Sequence, residues 1–180
     1  NLPTVFIAGD STAANNSGGL VGWGVPFRDY FDPAKINVVN RARAGRSTRT
    51  FMSEGLWDGL LADVKAGDTV LIQFGHNDSR LESAVHTDPD TTYRANLHAM
   101  VLEARAIGAE AVFVTPPPNF IAAEDGLHVR RPNGLEGYVS AMRAQASDDG
   151  VAVVELHPTL MDDYDQLGIQ LARALYSYEV

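Results

Sequence analysis

The first apolar run of the chain is FIAGDST (residues 6–12), a strand-like segment that ends in a serine. Two later apolar runs also end in polar residues: the run at 36–40 leads into Gly45, and the run at 69–74 leads into Asn77. In an open α/β sheet the carboxyl ends of the strands carry the chemistry. We therefore expect these three strand ends to meet at one edge of a sheet.

Apolar, β-branched runs alternate along the chain with segments of helical periodicity, a pattern typical of a parallel sheet covered on both faces. The predicted strands span residues 4–8, 36–40, 69–74, 111–115 and 151–156. The predicted helices span residues 22–31, 52–64, 93–107, 136–146 and 164–178. We therefore predict an α/β three-layer sandwich of the flavodoxin-like kind, with a five-stranded parallel sheet flanked by helices, formed by residues 1–180 as a single domain.

The composition limits the kinds of molecule that the protein is expected to bind. With 23 acidic and 14 basic side chains, the formal net charge is −9, which repels phosphate backbones and anionic lipid surfaces. No apolar run approaches the roughly 20 residues of a membrane span. We therefore expect neither a nucleic acid nor a membrane as partner. Four arginines crowd around Gly45, either as a basic rim or as ordinary solvated loop charges: Arg41, Arg43, Arg46 and Arg49.

The chain contains no cysteine, so thiolate catalysis and cysteine-based zinc sites are excluded. No set of histidines and carboxylates has metal-ligand spacing, and we expect neither a metal nor a cofactor. The chain starts at Asn1 rather than at a methionine, which a removed signal peptide or a chosen boundary would explain. The last predicted helix runs almost to Val180, and we expect the domain to be truncated there.

The three strand ends together offer the groups needed to attack an acyl carbon. The hydroxyl of Ser11 is a candidate nucleophile, and the developing oxyanion needs preorganised N–H donors. The amides of Ser11 and Gly45 and the side-chain amide of Asn77 are the candidate donors. Asp10 and Asp78 are better placed to fix the local turns. Each of these three stretches alone is also compatible with an ordinary turn, but their joint occurrence favours an active site.

The sequence resembles the SGNH (GDSL-like) hydrolases, and within them the rhamnogalacturonan acetylesterase-like enzymes of carbohydrate esterase family 12. The resemblance rests on the stretches GDST (9–12), GWG (22–24), NRA (40–42), GRSTRTF (45–51) and QFGHND (73–78). It implies that Ser11 is the nucleophile and that Gly45 and Asn77 are its oxyanion partners. It further implies a metal-free serine esterase that removes acetyl groups from plant cell-wall polysaccharide. Secretion or a periplasmic location is implied as well, although a cytoplasmic one stays open.

The family carries its catalytic base in an Asp-x-x-His block after the last helix, and no such block follows that helix here. Among the other histidines, His157 follows the fifth predicted strand, where Glu155 or Asp162 could orient it, but a plain loop histidine is the more ordinary interpretation. His76 is expected to shape the turn beside Asn77 or to contact substrate. His128 lies in a long predicted loop before Gly134 and is a further candidate for substrate contact.

Three alternatives to a self-sufficient esterase remain open at this point. The chain could be a non-catalytic SGNH-type domain that binds an acylated carbohydrate or a partner. A dimer or a swapped terminal segment could supply the histidine from a second chain. A flavodoxin-like or nucleotide-binding domain is disfavoured because the first strand is followed by no Gly-x-Gly-x-x-Gly or Walker motif. Trp23 and Trp57 are either core residues or part of a sugar platform.

Overall fold

The structure is a computed structural model, and it describes residues 2–17, 19, 21–81, 83–119 and 134–168. Five strands form one sheet in the order β2-β1-β3-β4-β5, and all four pairings are parallel. The strands are β1 (Thr4–Gly9), β2 (Asn37–Asn40), β3 (Thr69–Gln73), β4 (Glu110–Val114) and β5 (Ala152–Val154). The predicted α/β fold class with its five-stranded parallel sheet is confirmed.

Helices follow the strands in alternation. The α-helices are α1 (Thr48–Ser53), α2 (Leu56–Leu61), α3 (Arg94–Ile107), α4 (Glu136–Asp149) and α5 (Leu156–Leu167). A short 3-10 helix covers Pro26–Tyr30, and a π-helical turn at Pro89–Tyr93 leads into α3. None of the described helices combines the length and the apolar character that a bilayer crossing requires.

The sheet buries side chains on both of its faces, because successive residues of a strand point to opposite sides. Phe6 and Ala8 of β1 join the larger cluster, where they pack with Phe51 of α1 and Trp57 of α2. Ile7 points to the smaller cluster on the other face, which includes Leu71 and Val114 and the partly buried Trp23, Phe27 and Leu156. The predicted inner face of α3 is also observed: Leu97, Met100, Val101 and Ala104 are buried, and Ile107 packs beside them.

Four predicted elements differ from the structure. The predicted helix at 22–31 is only the short turn at Pro26–Tyr30. The predicted helix at 52–64 begins earlier, at Thr48, where Ser47 caps it, and it is interrupted at Gly55, whose φ of 71° is left-handed. The fifth strand is shorter than predicted, since Leu156 already begins α5. The helix predicted at 164–178 begins earlier, at Leu156, because Leu156 opens α5, which ends at Leu167. The rest of that predicted helix lies outside the described residues, as does most of the predicted loop before Gly134.

Candidate active site

The strand order puts the switch point of the sheet, where a ligand crevice is expected, between the carboxyl ends of β1 and β3. The chain leaves β1 toward β2 on one side, whereas β3 continues to β4 on the other. In open α/β sheets a reversal of this kind marks the ligand-binding crevice. Ser11 follows β1, and Asn77 follows β3. The two residues therefore flank the crevice, as the sequence predicts.

A tight turn holds Ser11 at the end of β1. The backbone carbonyl of Asp10 accepts hydrogen bonds from the amides of Ala13 and Ala14 at 3.2 and 3.1 Å. The Oδ1 atom of Asp10 accepts from the amide and the hydroxyl of Thr12 at 2.9 and 2.7 Å. Within the described residues, the amide of Ser11 donates no hydrogen bond. The half-buried Ser11 therefore combines a hydroxyl with a free N–H group.

The loop after β2 is tied to the same turn. The amide of Arg43 donates to the carbonyl of Gly9 at 2.9 Å, which continues the β1–β2 pairing toward the site. Gly45 then adopts a left-handed φ of 77°. A Cβ atom at Gly45 would meet no heavy atom within 4 Å, so the left-handed backbone conformation accounts for the glycine at this position. The amide of Gly45 donates no hydrogen bond to the described residues.

Asn77 connects the loop after β3 to the loop after β2. Its side chain is buried, and its Nδ2 atom donates to the carbonyl of Arg46 at 3.0 Å. An asparagine amide carries two hydrogens, so one of them stays available. The structure thus joins the loops of all three predicted oxyanion donors by direct hydrogen bonds. Their role in catalysis stays a prediction.

The side chains of Asp10 and His76 lie close together at this edge of the sheet. Asp10 is fully buried, and its Oδ2 atom lies 3.6 Å from Nδ1 of His76. Burial raises the pKa of the Asp10 carboxyl, but the contacts with His76 and Thr12 more than offset it and hold the pKa below its usual value. Because His76 directly precedes Asn77, this contact links the turn of the nucleophile to the loop of the oxyanion donor.

The buried carboxylate of Asp78 holds the loop after β3 in place by hydrogen bonds. Its Oδ1 atom accepts hydrogen bonds from the hydroxyls of Thr48 and Thr87 at 2.6 and 2.7 Å. The amide of Thr48 also donates to this carboxylate, at 3.1 Å to Oδ1. Burial is the largest influence on Asp78 and raises the pKa of its carboxyl to about 6, against the lowering effect of these hydrogen bonds. The carboxylates of Asp78 and Asp10 thus accept hydrogen bonds within the loops after β3 and β1, and their role as supporting residues stays a prediction.

Sequence reasoning missed Gln73, which supports the nucleophile from the neighbouring strand. Gln73 is fully buried at the end of β3, opposite Gly9. Its Oε1 atom lies 2.8 Å from the hydroxyl of Thr12 and accepts from Nε1 of Trp23 at 3.0 Å. A glutamine inside an apolar strand was the available signal, since buried polar groups need partners. Trp23 thus contacts the support of the nucleophile turn through Gln73. Trp57 is a core residue that is 1% exposed.

The described histidines do not complete a triad with Ser11. His157 is buried, and its Nδ1 atom donates to the carbonyl of Pro116 at 2.9 Å. Glu155 does not orient it, since both carboxylate oxygens of Glu155 accept from Arg143. Burial is the main cause that lowers the pKa of His157. In the described part of the chain, no hydrogen bond joins His157 to Ser11.

Two other histidines, His86 and His128, come after β3 and β4 in the chain. His86 is half-buried rather than exposed, with Nδ1 2.7 Å from the carbonyl of Asp78. His128 lies outside the described residues, so its predicted role is untested. Sequence reasoning overlooked that Asp125 and His128 have Asp-x-x-His spacing. This pair precedes β5, whereas the family block would follow the last helix. Within the described residues no group of three or more metal-binding side chains is present.

Comparison with known proteins gives a consistent result. The model of the GDSL-like Lipase/Acylhydrolase family matches residues 7–171. The chain is 34% identical over 155 residues to "Probable rhamnogalacturonan acetylesterase YesY" of Bacillus subtilis, with 84% of this chain and 69% of the relative covered. It is 33% identical over 175 residues to "Rhamnogalacturonan acetylesterase RhgT" of the same organism, with 96% and 72% covered.

A solved structure shows the same fold. The crystal structure of the protein YxiM of Bacillus subtilis superposes with a TM-score of 0.82 at 24% identity, covering 97% of this chain and 49% of that one. The chain therefore spans about half the length of that protein. The matched family model, the two relatives and the shared fold agree with the geometry of the three strand ends. The chain belongs to the GDSL-like lipase/acylhydrolase family, and by this resemblance it is a carboxylic ester hydrolase.

Proposed function

We propose that the protein removes acetyl groups from an acetylated carbohydrate, with Ser11 as the nucleophile. The observation that carries this proposal is the convergence of three strand ends at the switch point of the sheet. The Ser11 hydroxyl lies at one of these strand ends, and the backbone amides of Ser11 and Gly45 have no hydrogen-bond partner among the described residues. The relatives named rhamnogalacturonan acetylesterases support a carbohydrate substrate.

The proposed reaction has two steps. The Oγ atom of Ser11 attacks the acetyl carbonyl carbon and loses its proton to a base, while the carbonyl oxygen becomes negatively charged. The amides of Ser11 and Gly45 and the second Nδ2 hydrogen of Asn77 stabilise this oxyanion. The bond to the sugar oxygen breaks as that oxygen takes up the proton. Water then attacks the acetyl-serine intermediate and releases acetate.

The base of this reaction is not assigned to any described residue. The described geometry gives His157 a carbonyl partner rather than a carboxylate. Serine hydrolases that lack a triad member retain some catalysis from the oxyanion hole and from substrate binding. That residual catalysis does not need the serine, so hydrolysis that depends on Ser11 shows that a base is supplied within the 180-residue chain or by a second copy of it.

The test is hydrolysis of p-nitrophenyl acetate by the 180-residue chain, compared with Ser11→Ala. Ser53→Ala is the matched control, because Ser53 is exposed at the end of α1. We expect Ser11→Ala to lose the activity and Ser53→Ala to keep it. As a second readout, a fluorophosphonate probe should modify Ser11, located by mass spectrometry. Equal background rates in all three chains, together with no labelling of Ser11, would contradict the proposal.

The substrate class needs its own comparison. Acetate release from acetylated rhamnogalacturonan should exceed release from acetylated xylan at matched acetyl content. Binding without turnover would instead favour a non-catalytic carbohydrate-binding domain. Specific activity that rises with protein concentration would show that a second chain completes the site. A polysaccharide substrate is too large to enter a cell, and on that ground we propose a secreted or periplasmic protein.

A further inference from the structure

The imidazole of His76 spans the switch point of the sheet. His76 lies in the loop after β3, directly before Asn77. Its Nδ1 atom faces Oδ2 of Asp10, the residue before Ser11 in the turn after β1. This loop and this turn flank the position between β1 and β3 where an open α/β sheet binds its ligand. The imidazole therefore lies next to the groups that carry the proposed chemistry.

The Nδ1 atom of His76 and the Oδ2 atom of Asp10 depend on each other. Both atoms are buried, and neither has a hydrogen-bond partner among the described residues. They lie 3.6 Å apart, so a small movement of the imidazole joins them by a hydrogen bond. Buried polar atoms need such a partner, and hydrogen bonds in active sites often shorten when substrate binds. Asp10 is therefore the group that orients His76.

The Nε2 atom of His76 is the ring nitrogen that is left for a ligand. A carboxylate only accepts hydrogen bonds, so Nδ1 carries the hydrogen of the neutral imidazole and Nε2 keeps its lone pair. Within the described part of the chain no hydrogen bond reaches Nε2, and unlike Nδ1 it is not a buried atom. The side chain of His76 is 16% exposed. Nε2 is thus an accessible hydrogen-bond acceptor whose orientation is set by Asp10.

The backbone around His76 is held by packing and by hydrogen bonds. Gly75 has a positive φ of 151°, and a Cβ atom there would lie 2.9 Å from Cγ of Pro116, so the loop packs directly against the segment after β4. The carbonyl of His76 accepts from the hydroxyl of Ser79 at 2.9 Å. The amide of Ser79 donates to the carbonyl of Gly75, also at 2.9 Å. A residue that is fixed in this way loses little freedom when a ligand binds.

We propose that His76 binds the substrate, and that its Nε2 atom accepts a hydrogen bond from a free hydroxyl group of the sugar beside the acetyl ester. The inference rests on the proposed function, because it places the acetylated sugar at Ser11. A site that bonds to a substrate hydroxyl discriminates against a substrate that lacks it. The protein should therefore prefer acetylated sugars whose neighbouring hydroxyls are free. His76 is then a specificity-determining residue, whereas Ser11 acts on the ester itself.

The experiment measures binding rather than turnover, in the chain with Ser11→Ala. The first probe is methyl 3-O-acetyl-α-glucopyranoside, in which a free hydroxyl flanks the ester on each side. The second probe is its 2,4-dideoxy-2,4-difluoro analogue, in which fluorine of similar size replaces both hydroxyls and donates no hydrogen. NMR titration gives the Kd of each probe. We expect the hydroxylated probe to bind about tenfold more tightly, the difference that one hydrogen bond provides.

Two added substitutions separate the two nitrogens of His76. His76→Asn keeps an amide near the position of Nδ1 and removes the group at Nε2, so the preference for the hydroxylated probe should disappear. His76→Gln places its amide near the position of Nε2 and should restore part of the preference. His98→Asn is the matched control, because His98 is exposed on α3 and its Nδ1 atom also faces a carboxylate, 2.7 Å from Oδ1 of Asp149. It should leave the preference unchanged.

A second readout needs no substitution of His76. In protein labelled with ¹⁵N-histidine, the Nε2 resonance of His76 should shift when the hydroxylated probe is added. The inference is overturned if neither probe binds, if the two bind equally, if His76→Asn keeps the preference, or if this resonance does not move. Ser11-dependent hydrolysis of p-nitrophenyl acetate is measured separately, so failure of the His76 contact and failure of the esterase can be told apart.

Discussion

At the scale of single residues, the site depends on side chains that hold two loops together rather than on exposed reactive groups. Asp10 is buried beside His76, and Asn77 donates to Arg46. Each contact joins segments that are more than thirty residues apart or on different strands. The Oδ1 atom of the buried Asp10 carboxylate accepts from the amide and the hydroxyl of Thr12, and such partners are needed because an unpaired buried charge is strongly unfavourable.

Asn77→Ala should lower kcat on p-nitrophenyl acetate by roughly 100-fold or more, with a smaller change in KM. Loss of one oxyanion donor has an effect of about this size, because the donor acts on charge that develops only in the transition state. Steady-state kinetics measures it, with the exposed Asn37→Ala on β2 as control. A change confined to KM would show that Asn77 binds substrate and does not stabilise the oxyanion.

At the scale of elements, the segment 22–24 replaces the helix that the sequence suggests. The amides of Gly22 and Trp23 donate to the carbonyls of Ala14 and Thr12, both at 2.8 Å. This pairing brings two backbones into direct contact. Trp23 can then reach Gln73, so that the segment supports the nucleophile turn from the side.

Gly22→Ala should destabilise the protein by about 2 kcal/mol or more. An added Cβ atom would lie 2.5 Å from the backbone carbon of Ala13 and 2.6 Å from the amide nitrogen of Ala14, so one backbone must move, and overpacking has costs of this order. Urea unfolding measures the change. Gly137→Ala on α4 is the control, since the nearest atom to its Cβ would be at 3.8 Å. Equal stability of the two variants would contradict this close approach.

At the scale of the whole molecule, the buried carboxylates of Asp10 and Asp78 make the free energy of unfolding depend on pH in opposite directions. The pKa of Asp10 is lowered in the folded protein, so its contribution is present above the pKa of the unfolded chain and is lost as the pH falls. The pKa of Asp78 is raised from 3.8 to about 6. Its contribution is therefore fully present below pH 3.8 and is lost as the pH rises through 6.

Asp78→Asn should remove this second contribution. Between pH 3.5 and pH 7 we expect the unfolding free energy of the wild type to fall by about 3 kcal/mol relative to that of the variant. Urea unfolding across this range measures the difference. The substitution keeps a carbonyl acceptor for Thr48 and Thr87. A difference that does not vary with pH would show that Asp78 titrates normally in the folded protein.

The strands, the parallel sheet of an α/β fold, the family, and Ser11, Gly45 and Asn77 as candidate site residues could all be predicted from the sequence. These features are local: a strand is visible as an apolar run, and a site residue as a polar group at its end. Tertiary structure decided which partners these residues have. The contact between Asp10 and His76, and the hydrogen bonds of Gln73 with Thr12 and Trp23, depend on segments far apart in sequence. Spacing along the chain carries no information about such distances, because they are set by how the strands and loops pack.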